Sequence, residues 1–428
     1  MKWISVNINS RFLTILIGII FIGMNFFLGN EILNADKNFF IGADPRGYYQ
    51  YLPTLFVDHD VVNQGDIVLE NGRNFNKYNC GVAIFEAPAF FVQYEYSNYF
   101  GLKKDLYGFY YQRGIIFSAS VYLFFGLLFL FKYLRTQFGL QSAFLTVSLI
   151  YLATNLYYYS TVYPGMSHVY SFFCFSGVLY FTDKAYRTSR WSDHLFNSIF
   201  IGFVLLIRPI NAPVVLFMLL YNVYSLSDFR NRIIYYLKNF KLVLIYVISI
   251  IVIYIPQILY WKASTGNFFV YSYGYNNESF IYWNAPRFID VYFGVQCGWL
   301  PYTPVMFFAL VGIIILLLKK VYNGFSVFIT FLSISYICAS WWCNFSCAFG
   351  FRSFVEYYPI LSIPLAFIMK EYLIKKHLSI GVIFVSFFAF FNLKITYHFV
   401  LYLWNLCHTS WSWELYWKSL KYIFFDIV

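Results

Sequence analysis

At 428 residues, with 60% hydrophobic and only 11% charged side chains, this chain cannot cover a water-facing surface. Its mean hydropathy of +0.60 points the same way and excludes an ordinary soluble enzyme. A formal net charge of +11 would suit nucleic acid in a soluble protein, but here no nucleic-acid partner is expected and the useful question is where the Lys and Arg lie.

Aromatic residues make up 25% of the chain, which reads either as AT-rich codon bias or as headgroup girdles and sugar-stacking faces. The seven cysteines show no zinc or disulfide spacing. Cys174 and Cys338 fall inside apolar runs, and Cys343 and Cys347 stand four apart near an expected helix end.

The first apolar run, 12–29, follows Lys2 and Arg11 and lacks a small-x-small cleavage site. It is expected to remain as an anchor with its N-terminus cytoplasmic. A long polar-aromatic stretch, 30–109, comes next and contains the short apolar segment Tyr78–Phe91 with Glu86, which reads as an interfacial helix. Further runs near 110–131, 139–159, 166–183, 241–260, 300–318, 324–342, 354–369 and 378–398 approach the ~20 residues that span hydrocarbon. The run 195–221 is interrupted by Arg208-Pro209. About ten membrane segments are therefore expected, in one all-α polytopic bundle over 1–398. A Trp-rich segment, 399–428, carries Trp404, Trp411, Trp413 and Trp417 and should lie on the interface. No repeat or low-complexity tract interrupts the plan.

Positive clusters orient it. They occur at Lys132/Arg135, Lys184/Arg187/Arg190, Arg230/Arg232/Lys238/Lys241, Lys319/Lys320 and Lys370/Lys375/Lys376. All can be cytoplasmic only if 195–221 is a re-entrant hairpin broken at Arg208-Pro209; a single kinked span would put the later ones outside.

Ionisable residues at membrane depth or just above it carry the chemistry. Asp44 lies between Gly42 and Gly47, before Pro45, with Tyr48, Tyr49 and Tyr51 at near-helical spacing. It reads either as an N-cap or as a general base toward an acceptor hydroxyl. Arg208 and Arg352 read as ligands that converge on a phosphate, which guanidinium binds bidentately. The plainer reading pairs Arg352 with Glu356 one helical turn on and lets Arg208 satisfy carbonyls at its own helix break. His168 reads as a hydrogen-bonded structural residue or as part of the same site. Arg287, in an outer loop, could touch the same anion. Asp58, His59 and Asp60 can be drawn as a metal site but are more simply a solvated turn.

Four segments in this order, Gly42-Ala-Asp44-x-x-Gly-Tyr-Tyr, Tyr78-x-x-Gly81 with Ala87-Pro88, Leu206-Ile-Arg-Pro-x-Asn211 and Arg352-Ser-Phe-Val-Glu-x-Tyr-Pro359, resemble the GT-C superfamily of membrane glycosyltransferases. The likeness is greatest to the branch with protein O-mannosyltransferases and the lipid A aminoarabinose transferase, and covers 1–370 mainly as architecture. The resemblance implies a sugar donor linked to polyprenyl phosphate and a lipid, glycan or protein acceptor. It implies Asp44 as base, and a donor site among Arg208, Arg352, Arg287, His168, Tyr48, Tyr49 and Glu356. It further implies a site on the periplasmic face of a bacterial inner membrane. Many members carry a second acid where Pro45 stands here, so a single base without resident metal or other cofactor is expected. A lipid-linked saccharide transporter and an O-antigen polymerase or ligase are the rival readings. The first usually carries inverted repeats, and the second a large late outer loop.

Overall fold

The computed structural model describes residues 10–35, 42, 44–102, 105–342, 348–403 and 412–425. Cys343, Cys347, Trp404 and Trp411 lie outside them. The protein is all-α: 76% of it is helical, and the only strands among the described residues are the antiparallel pair β1 (Ile67–Val68) and β2 (Asn74–Phe75).

The chain begins with α1 (Ser10–Ala35). Ile19, Ile20, Met24 and Phe27 on it are exposed, the mark of a lipid-facing surface in a helix this apolar. A polar seam on it faces inward: Asn25 donates to Ser120 at 2.8 Å and accepts from Tyr151 at 3.0 Å and Thr161 at 2.5 Å. Such polar groups join helices where no hydrophobic drive exists.

The first long loop is folded. It forms α2 (Asp44–Tyr49), α3 (Tyr51–Phe56), the β ribbon and α4 (Gly81–Tyr99). α4 packs on the bundle, as the sequence leads one to expect, and buries Glu86, which accepts from Tyr170 at 3.0 Å. Burial pushes that carboxyl up to about 8.

Then come α5 (Phe109–Phe138), α6 (Leu140–Leu152), α7 (His168–Thr188) and α8 (Trp191–Ile207). They are followed by α9 (Val214–Leu219), α10 (Leu226–Lys238) and α11 (Phe240–Thr265). The later bundle holds α12 (Phe288–Phe293), α13 (Trp299–Tyr302), α14 (Met306–Lys319) and α15 (Gly324–Ser340). It ends with α16 (Tyr358–Ile368), α17 (Leu378–His398) and α18 (Trp413–Phe425).

Among the described residues four helices are long and apolar enough to cross a membrane: Thr14–Asn34, Phe109–Phe138, Phe240–Thr265 and Leu378–Leu401. Several other apolar runs form shorter helices. The run at 139–159 ends as α-helix at Leu152, and the run at 354–369 becomes α16, every residue of which is buried in protein. Its apolarity serves packing inside the bundle. α18 docks through Tyr416, which donates to the Pro301 carbonyl at 2.7 Å.

The break at Arg208-Pro209 is present. Arg208 is extended (φ −148°, ψ 104°) because Pro209 disfavours the helical region for the residue before it and cannot donate an N–H. A 3-10 turn, Pro209–Asn211, leads into α9. Both ends of the broken segment return to the last turns of α7: Lys184 pairs with Asp193 at 2.8 Å, Tyr221 donates to Asp183 at 2.9 Å, and Tyr186 donates to the Met218 carbonyl at 3.0 Å. The basic clusters meet at that same end. Arg232 donates to the Tyr221 carbonyl at 2.7 Å, and Lys370 lies over the Tyr322 ring, which itself packs on Phe138. Arg208 stands at the opposite end, beside the start of α7.

Candidate active site

Asp44 opens α2, and the backbone around it is shaped by one glycine. A Cβ at Gly47 would meet Tyr78 Cδ2 at 2.1 Å, so only glycine lets the Tyr78 ring lie against α2. Tyr78 is fixed there from both sides: its carbonyl accepts from Tyr51 at 2.6 Å, and Asn76 donates to the Gly47 carbonyl at 2.7 Å. The Tyr78 hydroxyl then donates to Asp44 Oδ1 at 2.6 Å. Tyr48, buried, sets the edge of its ring against Tyr78 at 4.8 Å between centroids.

Arg352 reaches the other carboxylate oxygen, with Nη2 3.1 Å from Asp44 Oδ2. The plainer alternative, an Arg352–Glu356 pair, does not form. Residues Arg352–Tyr357 make a 3-10 helix, in which positions three apart are aligned, so Glu356 at four apart points elsewhere. Glu356 turns inward, fully buried, and accepts from Arg208 Nη1 at 2.6 Å; His168 Nδ1 lies 3.0 Å from the same oxygen. Asn211 donates to its second oxygen, and Tyr357 donates to Asn211 at 3.1 Å. Arg208 Nη2 also meets Ser353 Oγ at 3.4 Å, one residue from Arg352. The two arginines, distant in sequence, are thus brought together at the head of the bundle.

A third cation completes the cluster. Lys77 pairs with Glu278 at 2.5 Å and lies 5.4 Å and 5.5 Å above the rings of Tyr78 and Tyr273. Burial works against an ionised Asp44, but Arg352, Tyr78, Lys77 and Arg208 together hold its carboxyl below the usual value. It is an anion at neutral pH, and its side chain is 26% exposed. Three cations, each paired with a carboxylate (Arg352 with Asp44, Arg208 with Glu356 and Lys77 with Glu278), gather with the Tyr78 hydroxyl at one place, a setting in which guanidinium groups can meet an anionic ligand.

Of the residues singled out in the sequence, Asp44, Tyr48, His168, Arg208, Arg352 and Glu356 share this site. Arg287 does not: it pairs with its own neighbour Asp290 at 2.7 Å. Tyr49 donates to the Leu106 carbonyl at 2.8 Å and packs with Phe90 and Tyr107 in a separate cluster. Asp58, His59 and Asp60 lie exposed after α3. Lys77, Tyr273 and Asn211 were not assigned from the sequence; a Lys or Tyr in a wet loop carries no signal of its own. No protein-family model matches this chain, and neither does any curated protein.

Proposed function

We propose that the protein is a GT-C type membrane glycosyltransferase that moves a sugar from a polyprenyl-phosphate-linked donor to a lipid, glycan or protein acceptor. The observation that carries this reading is the Asp44 carboxylate held between Tyr78 and Arg352, with Arg208 beside it, at the end of the bundle away from the basic clusters. In this reading the basic end is cytoplasmic, α8 and α9 form the same-side hairpin, and the site faces the periplasm of a bacterial inner membrane.

The residues fit the chemistry. The acceptor oxygen attacks the anomeric carbon from the face opposite the phosphate. The bond between that carbon and the phosphate oxygen breaks, and the phosphate leaves with the electron pair. The acceptor proton passes to Asp44, and the configuration inverts. Arg352 and Arg208 stabilise the charge that grows on the leaving phosphate, so no general acid is needed. A divalent cation fits poorly beside Asp44, whose oxygens already face Tyr78 and Arg352 with Lys77 nearby.

Proteoliposomes test the reading against its transporter rival. Supplied with a panel of polyprenyl-phosphate-linked sugars and native acceptor extract, they should release free polyprenyl phosphate from at least one donor. Movement of the intact donor across the bilayer without release would assign the protein to transport.

A further inference from the structure

Both oxygens of Asp44 are already occupied: Oδ1 by the Tyr78 hydroxyl at 2.6 Å and Oδ2 by Arg352 at 3.1 Å. Each oxygen keeps a second lone pair, but a cation held against the carboxylate weakens it as a base, so Asp44 gains basicity if one contact opens. The two differ in how firmly they are held. The Tyr78 ring lies on Gly47 and its carbonyl is tied to Tyr51, so its hydroxyl moves only with α2. Arg352 is 43% exposed and meets Asp44 across a single nitrogen. Arg208, by contrast, is held by Glu356, which is 0% exposed and also accepts from Asn211. Of the two guanidiniums, Arg352 is the one able to change partner.

We propose that the Asp44 carboxylate is the resident anion of the phosphate site, and that an arriving lipid phosphate takes Arg352 from it and so frees Oδ2 to act as the base. The proposal rests on the glycosyltransferase reading above and adds an order of events to it. A partly exposed ion pair with one contact is a weak one. A guanidinium–phosphate fork is roughly twice as strong as a neutral hydrogen bond and engages two nitrogens, so the exchange runs toward the phosphate. Charge supports it: Arg208, Arg352 and Lys77 are matched by Glu356, Asp44 and Glu278. The site is therefore neutral without ligand, and a phosphate gains attraction by displacing the carboxylate from Arg352. Donor binds first, and an acceptor arriving alone meets a base that is still latched.

Farnesyl phosphate serves as the probe, titrated into the detergent-solubilised full chain at neutral pH and low salt. Asp44→Asn keeps the shape of the side chain but removes the competing anion, and should bind the probe about tenfold more tightly than the unmodified protein. Arg352→Gln should bind it about tenfold more weakly. The double variant should bind no more tightly than Arg352→Gln, because the gain from Asp44→Asn acts through Arg352. If Asp44→Asn does not stay monodisperse, Asp44→Ser enters the same cycle. Equal or weaker binding by the Asp44 variant overturns the latch while leaving the phosphate site standing. So does a gain that persists undiminished in the double variant, since that is simple charge repulsion. Failure of every variant, Asp44→Asn included, to bind farnesyl phosphate removes the phosphate reading and the latch with it.

Discussion

Asp44→Asn should lower sugar transfer by about a hundredfold or more, the usual span for loss of a general base, while the protein still folds and still binds donor. The substitution preserves the size of the side chain and its contact with Tyr78, but an amide oxygen takes no proton from the acceptor. Folding should tolerate it because the pair it breaks is partly exposed, at 43% and 26% for the two side chains, and such pairs contribute about 1 kcal/mol or less. The pH dependence carries a sign as well. The Asp44 carboxyl is held below its ordinary value by Arg352, Tyr78, Lys77 and Arg208 against the cost of burial. In the donor-free protein it is therefore ionised at neutral pH, and kcat/KM, which reports the free enzyme, should show no limb from this group there. Near-normal turnover by Asp44→Asn, with donor and acceptor verified, would leave the base without an identity.

Glu356→Ala should be the most destabilising single change at the site. Glu356 is fully buried and engaged by Arg208, His168 and Asn211 at once. Removing it leaves the Arg208 cation without its carboxylate, a loss of about 3–5 kcal/mol for a buried pair. The contrast with Arg352→Gln makes the test specific: that change breaks a partly exposed pair and should cost about 1 kcal/mol or less. Thermal unfolding in detergent of the two variants, side by side, reads the difference. Equal midpoints would mean that Glu356 does not anchor Arg208, and the division between a fixed and an exchangeable arginine would fall.

How much of this was legible beforehand depended on whether the signal was local. Arg208-Pro209 could be read as a break because proline acts on its immediate neighbour, and the break is there. Asp44, Arg208 and Arg352 stood out because charge is rare in so apolar a chain, and the fold brings them together. The plainer reading, which pairs Arg352 with Glu356, fails because four-residue spacing means one face only in an α-helix and the segment is a 3-10 turn. Apolar composition does not distinguish a surface that meets lipid from one that meets protein, and every residue of α16 is buried in protein. Arg287 and Tyr49 looked like site residues from their neighbourhood in sequence, yet each has its own partner elsewhere, Asp290 for one and the Leu106 carbonyl for the other. Lys77 and Tyr273 became meaningful only through long-range contacts between the first loop and the loop before α12. Gly47 shows its purpose only with Tyr78 against it.

A cryo-EM structure of the protein with polyprenyl phosphate would show whether a lipid phosphate binds against Arg352 beside Asp44. The phosphate should lie at hydrogen-bond distance, about 3 Å, from the Arg352 guanidinium, with Arg208 still on Glu356 and Asp44 Oδ2 released from Arg352. A headgroup bound at the opposite end, among Lys319, Lys370 and Arg232, with the Asp44–Arg352 pair intact, would contradict it.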